Sequence, residues 1–419
     1  MQYIVTGGKR LEGKIRASGN KNSVFPCVAA ALLTNEEVIL ENISNLRDTK
    51  VLIQILEKLG TKVNWDGSTL KLQTNQISHT TLPQDLMGKL RGSMVLVGAI
   101  LARMGKVHFY HPGGDIIGQR SIETHLECFK NLGVSLKRDD IEFNLSFPDE
   151  RNNGDCVIFL SESSVTACEN IILAASLGKK KVIVKNCPKE PHILDLCKML
   201  VQMGAKIDGI GGDTLEIQGV EKLSGTKFKI GIDYIEIGTY AVAAAITGGE
   251  VTIENLDSTD LDPVLEPLKR FGISVDLNGD KVTFSAERLK AIPKITTNIW
   301  PGFPTDLMSA AIVLATQCKG VTLCHDWMYE SRMFFIDKLI SMGANVTLAD
   351  PHRVFVYGPD RLKGRNLETP DIRAGMALVL AGLIARGKSV INQAELIERG
   401  YEDVVGKLKS LGADIERVE

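Results

Sequence analysis

The chain has 419 residues, 44% hydrophobic and 24% charged, with a formal net charge of −2 and eight cysteines. That composition describes a soluble globular protein too long for one ordinary core. The near-neutral charge excludes a surface built to coat nucleic acid or an anionic membrane, and cysteines that never fall in a CxxC spacing exclude a zinc ribbon or dithiol motif.

In chain order the sequence repeats itself. A small-residue apolar helix is expected in "FPCVAAALL" (25–33), a strand in "EVILEN" (37–42), then an amphipathic helix ending in "KLGTKV", then further strands in "TKVNWDG" and "STLKLQ". The same series returns with the helices "MVLVGAILARMG", "ENIILAASLG", "YAVAAAITGG", "LMSAAIVLATQ" and "MALVLAGLIARG". Their strands are "KVHFYH", "KVIVKN", "EVTIEN", "GVTLCH" and "SVINQA", and their turns "NLGVSL", "QMGAKI", "RFGISV", "SMGANV" and "SLGADI". The turn glycines, Gly60, Gly133, Gly204, Gly272, Gly343 and Gly412, lie 68 to 73 residues apart. Each should take the left-handed conformation that ends a helix. The spacing predicts six β-α-β-α-β-β units, three per domain, with the apolar helices buried and the amphipathic ones covering a surface.

No charged segment followed by an apolar one opens "MQYIVTGGKR", and runs such as "AVAAAITGG" are too short to cross a bilayer. Cysteines set in apolar runs read as reduced. The expectation is a cytoplasmic monomer without metal, cofactor, nucleic acid or membrane partner.

Two stretches carry chemistry. "SGNKNSVFP" places Asn20, Lys21 and Asn22 before a helix, and "HPGGDIIGQRS" (111–121) sets Asp115 in a Gly-rich turn ahead of Arg120. From the residues alone the first reads equally as an Asn helix cap with a lysine or as an anion site, and the second as an ordinary turn with a solvated acid. Together with the six repeats, "GNKN" and "PGGDIIGQR" resemble the enolpyruvyl transferases, from residue 3 to residue 418. The resemblance implies an α/β, two-domain inside-out α/β barrel, with one domain at 21–230 and the other at 1–20 plus 231–419. It implies transfer of the enolpyruvyl group of phosphoenolpyruvate to the 3′-hydroxyl of UDP-N-acetylglucosamine, with release of phosphate, at the start of peptidoglycan precursor synthesis.

The resemblance also assigns residues. Lys21, Asn22, Arg120, Arg373 ("PDIRAG") and Arg399 ("ERGYED") would hold phosphoenolpyruvate, arginine being suited to it by a planar fork that donates two parallel hydrogen bonds. Asn22, Arg91, Arg120, Ser164, Val165, Thr166, Thr305, Asp306 and Met328 would meet the nucleotide sugar. Asp306 ("GFPTDLMSA"), which by itself reads equally as a helix cap, would accept the 3′-hydroxyl proton, and Asp371 would be a second acid near the reacting centre. Asp48 and Glu190 match family positions, Glu190 as a structural residue or one that orients a loop. Asp115 stands where most members carry cysteine, on a loop that serves the family as a lid, and would give the proton to carbon. Fosfomycin, which alkylates that cysteine, should then be ineffective. Three departures stand out: Arg47 for a common lysine, Ser121 for a proline, and Thr166 for a glycine in "SSVT", which bears on nucleotide contacts. The competing readings are the shikimate-pathway enolpyruvyl transferase, typically "GSKS" at the start, a noncatalytic paralogue, and the RNA terminal-phosphate cyclases, which use a late histidine. The last histidine here is His352.

Overall fold

The computed structural model describes residues 1–114, 118, 121–148, 154–257 and 259–419. The chain divides into two compact units, one of Met1–Ser18 with Ile232–Glu419, the other of Gly19–Gly114 with residues 121–231. Each has its own apolar core.

The expected repeat is present. In the unit that contains Gly19, the helices Lys21–Ala30, Val95–Met104 and Val165–Ala175 are buried along nearly their whole length. In the other unit Tyr234–Thr247, Met308–Ala315 and Ile372–Ile384 are buried in the same way. Their small apolar residues allow this, because every face can be covered by a neighbour. A side chain at Gly98 would meet the Asn170 carbonyl oxygen at 2.2 Å, so that pair of helices crosses at backbone contact. The second helix of each repeat, such as Arg47–Lys58 or Pro191–Gln202, buries one face only.

All six turn glycines have φ between +91° and +103°, a conformation that costs residues with a Cβ. Among the described residues, five repeats end in a four-stranded sheet with one parallel pair, which in four of them is joined to an antiparallel hairpin. The second has a three-stranded sheet, where a parallel bridge from Thr81 to His108 stands in for the fourth strand.

Sequence order and spatial order part at the chain's first strands. Gln2–Thr6 pairs antiparallel with Lys388–Asn392 and with Asp414–Val418, so the N-terminal strand completes the sixth repeat. Glu12–Arg16 lies parallel to Glu250–Glu254, and Thr226–Lys229 lies parallel to Val38–Glu41. None of the described helices is long and apolar enough to cross a membrane. The eight cysteines are free, seven of them buried and Cys156 half-buried.

Candidate functional site

In the unit that contains Ile232–Glu419, candidate residues gather where buried helices begin. Asp371 caps Ile372–Ile384, its Oδ1 accepting from the backbone N–H groups of Arg373 (2.8 Å) and Ala374 (3.0 Å). The first turn of that buried helix directs Arg373 inward, where Nε and Nη2 donate to Oδ2 of Asp306 at 3.0 and 2.8 Å. Asp306 lies in the 3-10 turn Thr305–Leu307, and Nη2 of Arg332 donates to its other oxygen at 3.0 Å. Nη1 of Arg332 is 3.8 Å from Asp371. Asp306 thus spends its carboxylate on two guanidinium forks and not on a helix cap.

Arg332 is 1% exposed and Arg373 7%. Burial alone would favour the neutral form of each. The carboxylates outweigh it, Asp306 foremost, and hold both groups above the ordinary arginine value, so both remain cations. Two donors are left over: Nε of Arg332 and Nη1 of Arg373 are buried and have no hydrogen-bond partner among the described residues.

The Tyr401 ring lies against the Arg373 guanidinium, 5.0 Å from its centroid. Arg399 ends the 3-10 segment Ala394–Arg399, two residues before that tyrosine and half-buried. A side chain at the intervening Gly400 would meet Ile372 at 2.5 Å, so only glycine lets this turn approach the Arg373 helix. Thr305 and Met328 share one partner: the hydroxyl of the first and the backbone N–H of the second both donate to the Asp326 carboxylate.

The other unit carries a different kind of cluster. Asn20 does cap Lys21–Ala30, through the Asn22 N–H at 2.9 Å. Lys21 is not a surface lysine: it is buried, and its Nζ lies 2.6 Å from Oδ2 of Asp48, in the first turn of Arg47–Lys58. Arg91 opens a 3-10 turn and donates to the Ser121 carbonyl at 3.0 Å. Ser164 precedes the helix Val165–Ala175, where the Thr166 hydroxyl is 2.9 Å from Nε2 of His125. Burial, and then the charge of Arg91, push the His125 pKa down to about 3, so the ring is neutral. Glu190 lies just before Pro191–Gln202, and burial, followed by the Glu190 charge, pushes the Glu169 pKa well above the usual carboxylate range. Asp115 and Arg120 lie outside the described residues.

The sequence reading missed Arg332, Asp326 and His125. One signal was available for Arg332: it stands between the second strand and second helix of its repeat, the stretch that also holds Glu190 and Arg399. Among the described residues no group of three His, Cys, Asp or Glu side chains is placed to hold a metal ion.

Comparisons with known proteins agree on the family. Residues 5–408 match the model of EPSP synthase (3-phosphoshikimate 1-carboxyvinyltransferase). The chain is 45% identical to the UDP-N-acetylglucosamine 1-carboxyvinyltransferase of Treponema denticola and 46% identical to that of Borreliella burgdorferi, in each case over 100% of this chain and 99% of the relative. Among solved structures, the enolpyruvyl transferase NikO from Streptomyces tendae aligns with a TM-score of 0.88 at 25% identity, covering 99% of this chain and 98% of that one. EPSP synthase from Acinetobacter baumannii, at 17% identity and a TM-score of 0.78 over 100% of both chains, shares the fold.

Proposed function

The chain belongs to the enolpyruvyl transferase family, among the UDP-N-acetylglucosamine 1-carboxyvinyltransferases, and on that premise we propose that it moves the enolpyruvyl group of phosphoenolpyruvate to the 3′-hydroxyl of UDP-N-acetylglucosamine, releasing phosphate. The observation that carries the reading is the pair of buried guanidinium N–H groups, Nε of Arg332 and Nη1 of Arg373, that have no hydrogen-bond partner among the described residues and lie beside Asp306. A buried cation with a spare donor is matched to an anionic ligand, and the bond it makes is charge-assisted.

In the proposed reaction Asp115 gives a proton to the methylene carbon of phosphoenolpyruvate while the sugar 3′-oxygen bonds to C2. Asp306, held by its two arginines, takes the hydroxyl proton. The tetrahedral ketal then expels phosphate, which leaves with the proton held by Asp306, as the Asp115 carboxylate takes a proton from the new methyl group; this restores the double bond on the sugar ether and returns both acids to their starting states. Lys21, Arg120, Arg373 and Arg399 would balance the phosphate and carboxylate charges, and Arg91, Ser164, Val165 and Thr166 would receive the nucleotide. An aspartate with an ordinary pKa near 3.9 must be desolvated to hold its proton at neutral pH. The same chemistry implies natural resistance to fosfomycin, because a protonated carboxyl is a poor nucleophile toward an epoxide. Burial raises Cys128, Cys197 and Cys318 to about 12, so those thiols are poor substitutes. The proposed setting is the cytoplasm, at the entry to cell-wall precursor synthesis.

Incubation with phosphoenolpyruvate and UDP-N-acetylglucosamine, followed by phosphate release and product mass, tests the reading. Release that requires shikimate 3-phosphate in place of the nucleotide sugar would move the chain to the other branch of the family.

A further inference from the structure

Asp326 is wholly buried, yet no residue of the proposed chemistry is Asp326 itself. It lies just past the strand Gly320–His325. Three donors converge on its carboxylate: the Thr297 hydroxyl (3.1 Å) and the Met328 N–H (3.0 Å) on Oδ1, and the Thr305 hydroxyl (2.5 Å) on Oδ2. Its backbone is pinned as well, its N–H donating to the His352 carbonyl at 2.9 Å and its own carbonyl 2.7 Å from His352 Nδ1. The carboxylate therefore ties a strand end, the 3-10 turn that carries Asp306, and the segment that leads to Arg332.

A consequence for hydrogen-bond polarity follows. A hydroxyl has one proton, and that of Thr305 is given to Asp326. Toward any ligand Thr305 then offers only lone pairs. We propose that Asp326 is a positioning residue for the nucleotide sugar: it fixes Thr305 as an acceptor, selecting a ligand hydroxyl or amide N–H at that point, and holds Thr305 and Met328 in register. The proposal rests on the functional reading above and adds to it a residue and a direction of hydrogen bonding.

Asp326→Asn is the direct probe. It keeps the volume and an acceptor for Thr297 and Met328, but turns an N–H₂ toward Thr305, which must then accept from it and loses its fixed polarity. The expected result is a rise of roughly tenfold in KM for UDP-N-acetylglucosamine, with KM for phosphoenolpyruvate within about twofold of wild type. Thr305→Val should give a similar rise, and the double variant should be little worse than either single one, since both remove the same bond. Equal changes in both KM values, or additive effects in the double variant, would overturn the proposal. If Asp326→Asn does not fold, as judged by its melting transition, Thr305→Val against Thr297→Val decides: the former must weaken UDP-N-acetylglucosamine binding by calorimetry more than the latter. A wild-type protein that neither binds nor turns over UDP-N-acetylglucosamine would instead refute the functional reading.

Discussion

The two units handle buried charge in opposite ways. Around Gly19–Gly114 and residues 121–231 the charges are managed one at a time: Lys21 faces Asp48, and His125, with Arg91 as its main charged influence, is neutral. In the other unit Asp306, Asp371, Arg332 and Arg373 form a shared lattice in which Asp306 meets both guanidinium groups and Arg332 reaches both acids. A lysine is a point charge that one carboxylate can satisfy, whereas an arginine fork can serve two acids and keep a donor in reserve. The pair thus joins one cation to one acid, whereas the lattice, two cations on two acids, is a preorganised surface with donors to spare.

The largest expected effect treats the two clusters alike. Lys21→Ala, Asp306→Asn and Arg373→Lys should each cut turnover by ~10²–10³ while the protein stays folded, since each removes a preorganised charged contact to the reacting groups. Near-normal kcat/KM in Arg373→Lys would show that charge suffices there and the fork does not matter.

Stability should separate the clusters. Arg332→Met strips two acids of a shared, fully buried cation and should cost about 3–5 kcal/mol in denaturant unfolding. Lys21→Ala should cost less, about 1–3 kcal/mol, because Asp48 lies in the first turn of a helix whose N-terminal dipole favours an anion. The reverse order would break the contrast between lattice and pair.

A pH series sharpens it further. Asp233 caps the helix Tyr234–Thr247, and burial raises its pKa to about 6 although Arg373 pulls the other way. The folded protein then binds this proton more tightly than the unfolded chain, so stability falls as pH rises from about 4 to about 6, and the cost persists above that. Asparagine also caps well. Asp233→Asn should therefore lose that slope, gaining on wild type by on the order of 2–3 kcal/mol between pH 4 and pH 7. Parallel curves for the two proteins would show that the Arg373 charge reaches Asp233 more strongly than its burial.

The smallest effect is an expected silence. The His125 ring should show no titration by NMR between pH 5 and 8, because burial and Arg91 keep its pKa near 3. A midpoint near 6.5 would mean that a counter-charge reaches the ring and that this unit also shares its charges.

Six repeats, their buried helices and their left-handed turn glycines were legible in the sequence because each depends on neighbours a few residues away: apolar residues all round a helix, and a glycine where the chain must take positive φ. What only the tertiary structure decided is which charged residues are buried and whom they meet. Lys21 and Arg332 look like surface residues in the sequence, and their partners lie 27 and 26 positions away for Asp48 and Asp306. Asp306 reads equally as a cap until two guanidinium groups are seen on it. Nothing local pairs the first strand, Gln2–Thr6, with strands near the other end of the chain. Helix and turn preferences act over one or two turns of chain, whereas ion pairs and strand closure are set by how the repeats pack, and an interaction a few ångströms long leaves no period in the sequence.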